Sequence, residues 1–267
     1  MLSLPVRKRF GQHFLHDGAI IDRIIQAIAP QKTDAMIEIG PGLGALTQYL
    51  LPQLERLTVI ELDKDLIPLL EEKCAGLGKL IIYQGDILKI DFHSLAESKQ
   101  VWRLVGNLPY NISTPLLFHC LKQVHLIQDM HFMLQKEVVD RINAYPGQAS
   151  YGRLSVMIQY YCRAEKLFNV KPGAFQPPPK VDSAVIRLIP YKELSYKAKD
   201  PILFAEIVRN AFNHRRKMLR NNLINWLEEQ DFEQLKINSM LRPEQLMVND
   251  YVKLANFVAK KNELKKT

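Results

Sequence analysis

From residue 35 onward, short apolar runs alternate with amphipathic stretches of helical length. Runs at 36–39, 57–61, 80–83, 101–105 and 130–134 have the length and β-branched content of buried strands, and the intervals 43–51, 64–74 and 115–122 carry helical patterning. Strand and crossover helix in regular alternation predict an α/β fold, a parallel sheet covered by helices on both faces. A further strand is expected at 181–189, after the turn-rich stretch QPPPK. Beyond Pro190 the pattern changes. Residues 191–199 are polar and lysine-rich, and from Phe204 the pattern is helical with no clear strand. These features predict two domains, an α/β domain over 1–190 and a smaller all-helical domain over 191–267, with no internal repeat.

The chain has 267 residues, 47% hydrophobic and 24% charged, which excludes disorder as its general description. Lys and Arg number 36 against 28 Asp and Glu, a net charge of +8. The excess is not spread evenly. Residues 191–267 hold 15 basic and 10 acidic side chains, whereas the first 190 hold 21 and 18, an excess of 3 matched by Arg7, Lys8 and Arg9. A basic tail domain and a basic N-terminal arm point to a polyanion such as RNA. The uncharged stretch 39–54 contains three Gly and two Pro, so no membrane-spanning helix is expected there. The N-terminus is basic but lacks the apolar run of a signal peptide. Cys74, Cys120 and Cys162 match no zinc or redox spacing and are odd in number, so a reduced cytoplasmic protein without a metal is expected.

Candidate chemistry begins where the first strand ends. Glu38-Ile39-Gly40-Pro41-Gly42-Leu43-Gly44-Ala45 places glycines at a strand-to-helix turn, where the backbone can approach a ligand closely. Gly40, Gly42 and Ala45 satisfy the variant dinucleotide fingerprint. The same turn also suits S-adenosylmethionine (AdoMet), with no pyrophosphate to cradle. Glu61 ends the second strand and can accept both ribose hydroxyls of either cofactor. Asp86, after the third strand, suits an adenine amino group.

The fourth strand runs into Asn107-Leu108-Pro109-Tyr110, over the ligand crevice of a parallel sheet. This tetrad fits methylation of an aromatic amine. The exocyclic nitrogen of adenine is a poor nucleophile because its lone pair is delocalised into the ring. The Asn107 side-chain oxygen and the Leu108 carbonyl can accept its two N–H groups and turn the lone pair toward a methyl donor. Pro109 fixes φ and removes a competing donor, and Tyr110 offers a flat face to the base. Positioning carries most of the rate, and no strong general base is needed.

GQHFL at 11–15, EIGPGLGALT at 38–47, ELD at 61–63, GDILKID at 85–91, NLPYNIS at 107–113, FQPPPKVDSAV at 175–185 and FNHRRKMLRNNL at 212–223 occur in this order. Together they resemble the small-subunit ribosomal RNA adenine dimethyltransferases, the KsgA/RsmA family and its eukaryotic counterparts, over nearly the whole chain. The resemblance implies a Rossmann-like class I AdoMet methyltransferase sheet and N6,N6-dimethylation of two adjacent adenosines. Their place is a hairpin loop near the 3′ end of 16S ribosomal RNA, within the 30S particle. It implies that His13 and Leu15 close over AdoMet, with Gly40, Glu61, Asp86 and Asn107 around it. Asn107, Leu108, Pro109 and Tyr110 would hold the target adenine, and Phe175 would stack on its other face. At position 13 the family commonly has Asn.

If 204–223 is one helix, Arg209, Asn213, Arg216 and Arg220 share a narrow face at ~100° per residue, opposite Phe204, Ile207, Val208, Ala211 and Leu219. Such a helix packs on one side and offers the other to RNA phosphates. The target base must be unpaired or extruded to reach a strand-end pocket. No segment reads as an oligomerisation seam, so a monomer is expected. Three alternatives remain at this level: a relative acting on large-subunit RNA, a non-catalytic RNA-binding factor, and an NAD(P) oxidoreductase.

Overall fold

The computed structural model describes residues 13–95 and 100–264, so Arg7, Lys8 and Arg9 lie outside the described residues. The chain divides after residues 139, 163 and 190 into two compact units. The first holds the described residues up to 139 together with 164–190, and the second holds 140–163 together with those from 191 onward.

In the first unit, β1 (Phe14–Leu15) and α1 (Gly18–Ile28) precede a run of strands and helices. These are β2 (Met36–Ile39), α2 (Thr47–Leu50), β3 (Leu57–Glu61), α3 (Ile67–Cys74), β4 (Leu80–Gln84), α4 (Phe92–Leu95), β5 (Trp102–Asn107), α5 (Ser113–Lys122) and β6 (Ile127–Gln135). After α6 (Lys136–Ile142) and α7 (Arg153–Tyr161) come β7 (Cys162–Val170), β8 (Phe175–Gln176) and β9 (Ser183–Pro190). Seven strands form one sheet in the order β4-β3-β2-β5-β6-β9-β7. Strands β2 to β6 pair in parallel, and β9 runs antiparallel to β6. The sheet is therefore mixed rather than wholly parallel. Every residue of β2 and β3 is buried, as expected of strands covered on both faces.

Helix α1 begins where the Asp17 side chain accepts the Ile20 N–H at 3.1 Å. It buries Ile21, Ile24 and Ile28 at i, i+3 and i+7. α2 is far shorter than the expected helix over 43–51. The glycines at 40, 42 and 44 hold φ of 63°, 55° and 73°, outside helical space, and delay its start. Away from the strand ends that carry the chemistry, near the start of β5, the buried Arg103 guanidinium forks onto Asp129. It also meets Asp34 at 2.6 Å and the Ile28 carbonyl at 2.7 Å.

The second unit contains α7, α8 (Pro201–Ala211), α9 (Leu219–Asn222), α10 (Glu229–Leu235) and α11 (Val248–Leu264). Residues 140–163 group with the C-terminal helices, whereas the sequence pattern placed them in the first domain. The reason is apolar. Leu154, Val156, Met157, Ile158 and Tyr160 of α7 are buried, and the Tyr160 ring lies 4.3 Å from that of Phe204. The expected single helix over 204–223 is not formed. α8 ends at Ala211, and the Asn222 amide donates to the Ala211 carbonyl at 2.8 Å and to that of His214 at 3.1 Å. These bonds satisfy helix-end carbonyls that a continuing helix would have used. Arg209, Arg216 and Arg220 are exposed, but they sit on α8, on the turn and on α9 and share no single helix face.

Candidate active site

One cleft opens at the carboxyl ends of β2 to β5. His13, Leu15, Gly40, Glu61, Asp86, Asn107, Leu108, Pro109 and Tyr110 all line it. Glu61, the last residue of β3, accepts the Gly42 N–H at 3.1 Å on one oxygen and the Asp63 N–H at 2.8 Å on the other. Burial pushes its carboxyl above the usual range, against the pull of those main-chain bonds. Glu38 on β2 is buried deeper and accepts the Thr47 hydroxyl at 2.7 Å. Its carboxyl is pushed up to about 7, first by burial and then by the neighbouring Glu61 charge. Asp86, just after β4, spends one oxygen on the Leu88 N–H at 3.0 Å.

The tetrad is held from three sides. Asn107 ends β5, and its side-chain amide donates to the His13 carbonyl at 2.9 Å. A main-chain carbonyl can only accept, so this bond fixes the amide orientation and leaves Oδ1 as an acceptor. The Leu108 N–H donates to the Met133 carbonyl of β6 at 3.1 Å. The Pro109 carbonyl accepts the Ser113 hydroxyl at 3.0 Å at the start of α5. Tyr110 is half-buried, its hydroxyl 2.8 Å from Ser183 Oγ on β9 and its ring 5.5 Å from that of His13. His13 Nδ1 lies 2.8 Å from the Pro177 carbonyl.

Phe175 is a correction. It is only 2% exposed, sits opposite Leu15 in the β1–β8 pair, and packs in the core with Val170 and Val185. It does not line the cleft, so the stacking face it was expected to supply is absent from this arrangement. The core around Val170 and Val185 encloses its ring. Sequence reading also gave no role to Ser183, Pro177 and Thr47, which brace Tyr110, His13 and Glu38. Gly106 was legible in principle as a lone glycine within a strand. A Cβ there would lie 2.6 Å from the Ile39 carbonyl oxygen, so only glycine lets β5 approach β2 this closely.

Among the described residues, those lining the cleft include four carboxylates, Glu38, Glu61, Asp63 and Asp86, and no Lys or Arg. A pyrophosphate would meet like charge there, whereas a sulfonium with an amino group meets opposite charge. The acceptors also match the ribose hydroxyls and adenine amino group of AdoMet. That rules against the dinucleotide reading of the glycine turn. The family model for ribosomal RNA adenine dimethylase matches residues 4–260. The chain belongs to that family. This dimethylase is 56% identical over 253 residues to ribosomal RNA small subunit methyltransferase A of Pseudomonas aeruginosa, covering 95% of this chain and 94% of that one. It is 52% identical over 255 residues to the protein of the same name from a Marinomonas strain, with 96% of each covered. Among solved structures, a dimethyladenosine transferase from Plasmodium falciparum superposes with a TM-score of 0.79 at 28% identity, over 94% of this chain and 98% of that one. The 23S rRNA methyltransferase ErmE shares the fold, with a TM-score of 0.70 at 23% identity over 92% and 99%. The dimethylase is thus a class I methyltransferase that uses AdoMet.

Proposed function

We propose that this dimethylase converts two adjacent adenosines near the 3′ end of 16S ribosomal RNA to N6,N6-dimethyladenosine. It acts on the 30S particle or its precursor, as a cytoplasmic monomer. The observation that carries the reading is the position of Asn107–Tyr110 in the same cleft as Glu61 and Asp86.

AdoMet supplies an electrophilic methyl group on a sulfonium. Everything else falls to the chain. The Asn107 Oδ1, left free by the bond to His13, and the Leu108 carbonyl accept the two N–H groups of the adenine amine. This draws the nitrogen lone pair out of ring conjugation. Tyr110, anchored on Ser183, presents its ring to the base. The nitrogen becomes acidic on alkylation, so its proton leaves without a strong base. Arg7, Lys8, Arg9, Arg209, Arg216 and Arg220 would hold phosphates, now as separate contacts rather than one helical face.

The competing substrate is a large-subunit adenine, and relatives at 52–56% identity carry the small-subunit name. Incubation with labelled AdoMet and either under-methylated 30S or 50S particles, followed by nucleoside analysis, decides between them. Label in N6,N6-dimethyladenosine from 30S RNA alone is expected. Label in 50S RNA only, or none, sinks the proposal.

A further inference from the structure

Tyr145, in the second unit, is 71% exposed, yet the turn that carries it is firmly braced. The Gln159 amide donates to the Ile142 and Ala144 carbonyls, both at 2.8 Å. The Tyr145 N–H donates to Gln148 Oε1 at 2.9 Å, and the Gln148 N–H returns to the Tyr145 carbonyl at 3.1 Å. The Gly147 N–H donates to the Glu244 carbonyl at 2.7 Å. Such a turn has spent its backbone entropy on folding while leaving a large ring in water, where the ring adds little to stability.

The same turn touches the basic loop between α8 and α9. The Arg215 guanidinium donates to the Gln148 carbonyl at 3.4 Å and lies 3.8 Å from the Glu244 carboxylate. Arg216 and Lys217 follow directly, are exposed, and make no ion pair among the described residues. An exposed aromatic ring thus sits on a braced turn that is tied, through Gln148 and Arg215, to the loop that carries Arg216 and Lys217.

We propose that Tyr145 is a stacking platform for an unpaired base of the RNA substrate, with Arg216 and Lys217 taking the neighbouring phosphates. Stacking suits any base because every base has a π-face, while the cations neutralise the backbone that connects the bases. Charge complementarity selects a nucleic acid over a protein or a neutral surface. The role of Tyr145 is to hold a strand flanking the target, and it does not read the target adenine. This inference rests on the RNA-modifying function proposed above.

The test measures the Kd for under-methylated 30S particles as a function of salt, alongside the Kd for AdoMet. Tyr145→Ala is expected to weaken particle binding roughly tenfold. The salt slope and the AdoMet Kd should stay unchanged. Tyr145→Phe should bind like the parent. Arg216→Ala with Lys217→Ala should lower the salt slope by about 2. Particle binding by Tyr145→Ala within twofold of the parent overturns the inference. So does a Phe variant as weak as the Ala variant, which would assign the effect to the hydroxyl. Tyr145→Trp guards against a folding defect, since it keeps a ring and should bind at least as well as the parent; weak binding by a folded Trp variant also overturns the inference. If the parent methylates neither particle, the function itself fails. Parental methylation with unchanged Ala binding overturns Tyr145 alone.

Discussion

Glu38 makes stability fall with rising pH, and the effect can be isolated by Glu38→Gln. The carboxyl is buried under the glycine turn and its value rises from the ordinary 4.5 to about 7. Below 4.5 both folded and unfolded chains hold the proton, and the group contributes no slope. Between 4.5 and about 7 the folded enzyme keeps a proton that the unfolded chain has released, so stability falls as pH rises. Above about 7 the loss is complete. The shift corresponds to a ceiling of about 3 kcal/mol, roughly half of it spent near pH 6. Glutamine keeps the size of the side chain and an acceptor for the Thr47 hydroxyl but carries no titrating group. Urea unfolding of parent and variant without AdoMet, at pH 5, 6, 7 and 8, reads the difference. Other titrating groups largely cancel in it. The variant should gain on the parent with each step and level off near pH 8. Stability curves that run parallel across this range would refute the reasoning.

Three further outcomes are expected. Asn107→Ala should slow methyl transfer roughly 10²–10³-fold and weaken AdoMet binding only a few-fold through loss of the tie to His13; equal losses in single-turnover rate and cofactor Kd would make Asn107 a cofactor ligand instead. Gly106→Ala should cost roughly 1–3 kcal/mol and weaken AdoMet binding, because the Ile39 backbone carbonyl cannot swing away; a parental Tm and Kd would show that the strands separate freely. Arg103→Met leaves Asp34 and Asp129 without their shared cation and should cost roughly 3–5 kcal/mol, yet AdoMet affinity below the melting range should persist, because the cluster is away from the cleft; a Tm within about 2 °C of the parent would remove it as a structural anchor.

Legibility along this chain follows the burial of each element. β2 and β3 coincide with the expected runs at 36–39 and 57–61 because both are apolar throughout and covered on both faces. β7 was not expected. It lies at the end of the sheet and reads CRAEKLFNV, with Arg163, Glu165 and Asn169 exposed. An edge strand facing water lacks the continuous apolar run that marks a central one. The helix expected over 204–223 has the right apolar positions, since Phe204, Ile207, Val208, Ala211 and Leu219 are all buried. Periodicity could not show that an amide 11 residues downstream of Ala211 would close the helix. The same division runs through the site. Glu61, Asp86 and Asn107 were legible because each ends or closely follows a strand, and strand ends of a parallel sheet converge. The bond from Asn107 to His13 spans 94 residues and that from Tyr110 to Ser183 spans 73, and both depend on where the chain returns. The burial of Phe175 likewise depends on where the chain returns, since β8 pairs with β1 across 160 residues of sequence.

Under the proposed function, the charge distribution favours a target that enters as a single base. Among the described residues the cleft is lined by carboxylates and by no Lys or Arg, a lining that attracts a cationic cofactor and repels a phosphodiester backbone. Repulsion between exposed charges fades over a Debye length of about 8 Å, less than the width of a nucleic-acid duplex. A backbone following a duplex into the cleft would come within that range, whereas an extruded adenine is uncharged. Its amine has hydrogen bonds to donate, and the Asn107 Oδ1 and Leu108 carbonyl are the acceptors proposed for them. Arg209, Arg216, Lys217 and Arg220, among the cations proposed above to hold the backbone, all belong to the second unit. Two opposite electrostatic tasks on one chain thus fall to different residues, carboxylates for the cofactor and the cations proposed for the phosphates. The net charge of +8 therefore says less about recognition than where along the chain the charged residues fall.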